Sequence, residues 1–251
     1  MLRPAVSHRR IFSCTVVRIL RQLRHDHRTV AMILVVPVVL ISLLYFMFSQ
    51  QPGAFGPAAL VLLAVFPFIL MFLVTSVAML RERTSGTLER LSTTPASGAD
   101  LLFGYGVAFG VTATAQAVLA TGCAYWLLGL ETAGSAALVV LVSVLTALLG
   151  VGLGLLCSAF ARTEFQAVQL LPVVVIPQLL LCGLFVPRAS LPSWLEVVSD
   201  VLPVSYAVEA ATQVGRHAVP TGLFWRDLAI VVGCILLTLL LASATLRRRT
   251  E

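Results

Sequence analysis

Few side chains in this sequence are equipped for covalent or metal chemistry, and their spacing argues against both. The four histidines are His8, His25, His27 and His217. All lie outside the apolar runs, and no His-Glu pattern of metal-binding spacing occurs, so a zinc hydrolase helix is not encoded. His25 and His27 are read as solvated residues at a membrane interface. The five cysteines are Cys14, Cys123, Cys157, Cys182 and Cys234. No two stand at ligand spacing and four sit in apolar runs, which makes them small packing residues. Every basic side chain is Arg; the sequence contains no Lys. A phosphate-binding P-loop and a Schiff-base amine are therefore both excluded, and any ATP hydrolysis must come from another polypeptide.

The densest polar stretch is Arg81 to Asp100, RERTSGTLERLSTTPASGAD, with three Arg and three acids between two long apolar runs. Its middle has Leu88 and Leu91 three apart on a short helical pattern, which Pro95 and Gly98 then stop. This is an internal loop of a membrane protein carrying one compact docking element.

The elements that would position it are transmembrane helices. Apolar residues make up 59% of the 251 residues, mean hydropathy is +1.00, and only 11% are charged. Apolar runs of about twenty residues recur, the length needed to cross about 30 Å of hydrocarbon. The expected architecture is an all-α polytopic membrane protein with six spans, at about 30–48, 58–80, 101–128, 136–160, 165–185 and 228–246. A short loop is expected at 49–57, and Pro172 and Pro177 should kink or break the fifth span. Gly106/Gly110 and Gly150/Gly154 have the Gly-x-x-x-Gly spacing that lets helix backbones approach. The six spans are expected to form one domain over residues 1–251.

Residues 1–29 form a basic amphipathic stretch. Phe12, Val16, Ile19, Leu20 and Leu23 share one helical face, and Arg10, Arg18, Arg21, Arg24 and Arg28 the other. A helix lying in the interface against anionic headgroups is expected. Arg9-Arg10-Ile11-Phe12 is rejected as an export signal, because the apolar run starts too far downstream and no small-residue cleavage site follows. With six spans, fourteen of the seventeen Arg fall on one side: the N-terminal arm, the 81–100 loop, the 161–165 link and the C-terminus. By the positive-inside rule both termini are cytoplasmic. That assignment reads the basic charge as topology, with no nucleic-acid partner.

The stretch 186–227 is about forty residues long and largely apolar, yet it carries Glu196, Asp200 and Glu209, each costly in lipid. It is read as short helices that dip into the outer leaflet and return, bounded by Pro187, Pro192 and Pro203. Trp194 and Tyr206 suit the outer interface. Inside the spans, Gln116, Gln166, Gln169 and Gln178 are candidates for a cargo path. Hydrogen bonding between helices is the plainer and favoured account of them. Phe66, Phe68 and Phe72 are read as packing.

Two stretches carry a family resemblance. Arg81-Glu82-Arg83-Thr84-Ser85-Gly86-Thr87-Leu88-Glu89-Arg90-Leu91 with Thr94-Pro95 is similar to the charged segment after the second span of ABC-2 type exporter permeases, the family that includes daunorubicin-resistance permeases. Cys182-Gly183-Leu184-Phe185-Val186-Pro187, then Leu191-Pro192-Ser193-Trp194-Leu195, then Leu202-Pro203-Val204-Ser205-Tyr206-Ala207-Val208-Glu209-Ala210 resembles the family's re-entrant segment before the last span. One departure is that the first Arg after this run is Arg216.

The resemblance implies a multi-pass bacterial plasma-membrane permease, one half of an export pathway for a drug, lipid or glycan. It implies a second permease copy or sibling chain, and two copies of a separate ATP-binding subunit. That subunit would hold ATP and Mg, leaving no cofactor, metal or catalytic residue here. Leu88 and Leu91 would anchor the coupling helix in the ATPase, with Gly86 and Thr87 in the same segment and Glu82, Arg83, Glu89 and Arg90 as polar partners. Three other classes compete. A secondary transporter would place acids or His inside its spans, an intramembrane enzyme would need a nucleophile-base pair there, and a non-transporting assembly or sensory protein needs neither.

Overall fold

The computed structural model describes residues 8–84 and 98–247. The docking residues Gly86, Thr87, Leu88, Glu89, Arg90 and Leu91 lie outside the described residues. Every regular element described is helical: α1 (His8–His25), α2 (His27–Met47), α3 (Pro52–Thr84), α4 (Gly98–Gly122), α5 (Ala136–Ser158), α6 (Glu164–Leu181), α7 (Ser193–Val201), α8 (Pro203–Arg216) and α9 (Gly222–Arg247). A π-helical turn, Cys123–Leu127, extends α4, and a 3-10 turn, Arg188–Ser190, precedes α7. Six of these helices (α2, α3, α4, α5, α6 and α9) are long and apolar enough to cross a membrane.

Several boundaries differ from those expected. The first loop is shorter, because Pro52 opens α3, where a missing N–H costs nothing, and Pro57 follows inside the helix. Pro172 and Pro177 lie within a continuous α6 and do not break it; in membrane helices neighbours and side chains re-satisfy the freed backbone groups. The last long helix starts at Gly222, so Arg226 and Asp227 belong to α9 and not to the preceding loop.

The centre of the bundle is the α3–α5 seam. A methyl group at Gly154 would stand 2.6 Å from the Phe72 carbonyl oxygen and 3.2 Å from the Ser76 nitrogen, and Gly150 faces the backbone of Phe68 and Phe72 as closely. These glycines let two helix backbones touch. Gly106 and Gly110 do not act this way: nothing lies within 4 Å of a Cβ built at Gly106, and Gly110 meets only the Leu148 side chain. Phe68 and Phe72 are fully buried with ring centroids 6.4 Å apart, so this pair is core. Ser143 donates to the Leu63 carbonyl across the same seam at 2.8 Å.

Two ends of the bundle are distinguished by their side chains. At the basic end stand α1, the end of α3, the start of α4, the end of α5 and the start of α6. At the opposite end the link between α4 and α5 joins α8, where Gly134 N donates to the Val214 carbonyl at 2.9 Å. Helix α1 packs Ile19, with Val16, Leu20 and Leu23, against the cluster of Met79, Tyr105 and Phe109, leaving Arg21 and Arg24 exposed. Asp26 breaks α1 from α2 by capping α2: its carboxylate accepts from Thr29 N at 3.2 Å and Thr29 Oγ1 at 2.6 Å. Those bonds hold the Asp26 pKa below the usual carboxylate value.

Candidate functional site

Three consecutive residues at the end of α3 each reach a different neighbour. Arg81 donates from Nε to Glu164 Oε1 at 2.8 Å and from Nη2 to Oε2 at 3.1 Å, a bidentate pair with the first turn of α6. Glu82 turns inward and is only 6% exposed. Its carboxylate lies 3.7 Å from Arg18 of α1, and Arg18 Nη2 donates to the Tyr105 hydroxyl of α4 at 2.9 Å. The Tyr105 hydroxyl stands beside the same carboxylate. Arg83 donates to the Ser158 carbonyl at the end of α5. The sequence placed Arg18 on the polar face of α1 and Glu82 and Arg83 on a docking rim. In the structure all three are engaged with side chains or backbone of this chain. A buried carboxylate needs partners, and Arg18 and Tyr105 are among those within reach.

Arg81, Glu82, Tyr105 and Glu164 line a cavity of 520 Å³ at the basic end, between α1, α2, α3, α4 and α6. Its walls are apolar, including Leu23, Ile33, Leu70, Leu73, Val74, Val77, Phe109 and Val168. Its polar groups are Gln22, Asp26, Thr29, Arg81, Glu82, Tyr105 and Glu164. An apolar body with a few convergent polar groups is the form of a site for an amphipathic small molecule. The cavity has no signature in any one stretch of sequence, since five helices contribute to it.

The glutamines singled out as a cargo path do not converge here. Gln166 is exposed and caps α6 in a box with Thr163: its N donates to Thr163 Oγ1 at 3.2 Å, and its Oε1 accepts from Arg162 N at 2.8 Å. Gln169 is exposed. Gln178 donates to the Val174 carbonyl of its own helix at 3.1 Å. Gln116 is 1% exposed and neither side-chain polar atom has a hydrogen-bond partner among the described residues. None of the four bonds one spanning helix to another.

At the opposite end the 186–227 stretch is organised by Arg188. Its guanidinium donates to Glu209 at 2.7 Å and pairs with Asp200, and it lies 5.3 Å from the Tyr206 ring centre. Tyr206 donates its hydroxyl proton to the Asp200 carbonyl at 2.7 Å. Two of the three acids that would be costly in lipid are thus neutralised, while Glu196 is exposed. The prolines bound the short helices: Pro187 and Pro192 precede the 3-10 turn and α7, and Pro203 opens α8. Trp194 is 67% exposed. Ser199 ties α7 back to α6 by donating to the Leu181 carbonyl at 2.8 Å.

Comparison with known proteins places this arrangement. The sequence profile described as ABC-2 type transporter matches residues 9–214. The chain is 30% identical over 167 residues to the probable multidrug ABC transporter permease YbhR of Escherichia coli, covering 66% of this chain and 45% of that protein. It is 30% identical over 154 residues to ABC transporter G family member 20 of Dictyostelium discoideum, covering 61% and 21%. It is 30% identical over 136 residues to the linearmycin resistance permease protein LnrN of Bacillus subtilis, covering 54% and 35%. The matched part therefore spans less than half the length of each of these relatives.

Proposed function

The chain belongs to the ABC-2 type transporter family, and from that premise we propose that it is the membrane-spanning permease subunit of an exporter of hydrophobic or amphipathic compounds. A separate ATP-binding subunit drives it, two copies per complex, docked on the segment that links α3 to α4. A second permease, a copy or a sibling chain, completes the pathway. The complex sits in the bacterial plasma membrane with both termini of this chain cytoplasmic, so the basic end faces the ATPase.

The observation that carries this reading is the cavity at the basic end. It offers apolar walls to a cargo body and polar groups to its head, and Arg81 and Glu82 of its lining, with Arg83 beside them, stand just before the 85–97 segment. A displacement of that segment is thereby passed to α1, α4, α5 and α6 through the contacts of three adjacent residues. The names of two relatives, a multidrug permease and a linearmycin resistance permease, support a drug-like cargo.

The test is purification of the tagged chain from membranes in mild detergent, followed by an ATPase assay. A P-loop subunit should co-purify with wild type and be lost when Leu88 and Leu91 are both changed to Asp. Recovery of the chain without any ATPase under several gentle conditions would overturn this reading in favour of a channel or a non-transporting membrane protein.

A further inference from the structure

We propose that the Arg81–Glu164 ion pair is a latch across the mouth of the basic-end cavity, and that it must open for cargo to enter. The proposal rests on the transport reading above for the word cargo, but the latch itself is a statement about the mouth of the cavity. Arg81 and Glu164 both line the cavity, on α3 and α6 respectively, eighty-three positions apart in the chain. Their bidentate pair joins the last turn of α3 to the first turn of α6. Both side chains are more than half exposed, at 61% and 53%, so the pair stands at the water-facing rim and not in the wall.

The position makes a separable joint. An ion pair in water contributes little net stability, which suits a contact that opens in every cycle. The neighbouring contacts differ in kind: Glu82 is buried against Arg18 and Tyr105, and Arg83 holds the Ser158 backbone carbonyl. Those two anchor the end of α3 to α1, α4 and α5. Arg81 reaches α6, whose start is capped by Thr163 and Gln166 and shares an apolar cluster, Ala167 and Leu170, with Val77 and Leu80 of α3, so the ion pair is the polar contact at the rim of that joint. Asp26, at the start of α2, also lines the mouth and acts on Arg81 through space. Arg81 is thus the cation among three carboxylates on the cavity lining, Asp26, Glu82 and Glu164. Turning it over would leave like charges facing one another across the opening.

The experiment places a cysteine in the cavity wall, Val77→Cys, and measures its reaction with a water-soluble maleimide in membrane vesicles exposing the basic end. Reaction of the same vesicles without the added cysteine is subtracted as background. Four chains are compared in that background: unchanged, Arg81→Glu, Glu164→Arg, and the double exchange. Each single reversal should raise the labelling rate roughly fivefold, the population shift that about 1 kcal/mol produces. The double exchange should return labelling close to the starting rate. Labelling unaltered by the single reversals, or raised equally by the double exchange, would overturn the latch. Equal amounts of each variant in the membrane, and unchanged size-exclusion profiles in detergent, exclude misfolding as the source of added reactivity. The labelling needs neither ATPase nor cargo. A working latch in a chain that binds no ATPase would therefore sink the exporter reading and spare the latch, and the reverse result would do the opposite.

Discussion

Substituting Gly154 by Ala tests the account of how the bundle is held. The added methyl would be 2.6 Å from the Phe72 carbonyl oxygen, and ordinary contact begins at 3.4 Å. Helices α3 and α5 must separate locally by about 0.8 Å, the difference of those two distances. The atom struck is backbone, so no rotamer change relieves it, and overpacking of this kind costs about 1–3 kcal/mol. The same change at Gly106 meets nothing within 4 Å and gains up to about 1 kcal/mol of helix propensity in its place. The assay is thermal unfolding of the purified chain in one detergent, followed by loss of the monodisperse size-exclusion peak. Gly154→Ala should lower the midpoint and Gly106→Ala leave it level or raise it. Equal effects of the two substitutions would refute the close-approach argument, since the sequence spacing alone treats Gly106/Gly110 and Gly150/Gly154 alike.

Further predictions follow from particular contacts. Arg188→Ala should release the 186–227 stretch to proteolysis and cost about 2 kcal/mol, because Asp200 and Glu209 lose a charged donor; Arg188→Lys should restore only part of it, lacking the fork that reaches both acids. Tyr105→Phe should lower the unfolding midpoint by removing the acceptor of the Arg18 bond, worth about 1.5 kcal/mol. Thr163→Ala should cost about 1 kcal/mol by uncapping α6. Asp26→Ala should destabilise the chain at neutral pH. The folded-state pKa of Asp26 is lowered from 3.8, so its contribution is present above that value and lost as pH falls through the lower folded one. Unfolding midpoints of the two chains should converge below that range.

The six spanning helices were legible because lipid demands long apolar runs and little else, so composition and run length carry the information. The short helices of 186–227 were legible through Pro187, Pro192 and Pro203, each acting at a helix start. Helix continuity through Pro172 and Pro177 was not, because local propensity rules are written for water. Which Gly-x-x-x-Gly pair makes contact was also hidden, since it depends on which helices meet. The same holds for the cavity and for Arg18, whose inward turn is explained by Glu82 and Tyr105, residues 64 and 87 positions away. Gln166 does carry a local signal, since Thr163 three residues before it has the capping-box spacing.

The central claim is that this chain moves cargo with energy supplied through the segment between α3 and α4. The most direct measurement is ATP-driven uptake of an amphipathic dye by inside-out vesicles containing the purified complex, for wild type and Glu89→Arg, with ATP hydrolysis recorded in the same samples. The account predicts uptake in wild type, and in the variant continued hydrolysis with uptake lost. Undiminished uptake by Glu89→Arg would contradict the assignment of the coupling segment, and hydrolysis by wild type with no uptake of any dye tested would contradict export itself.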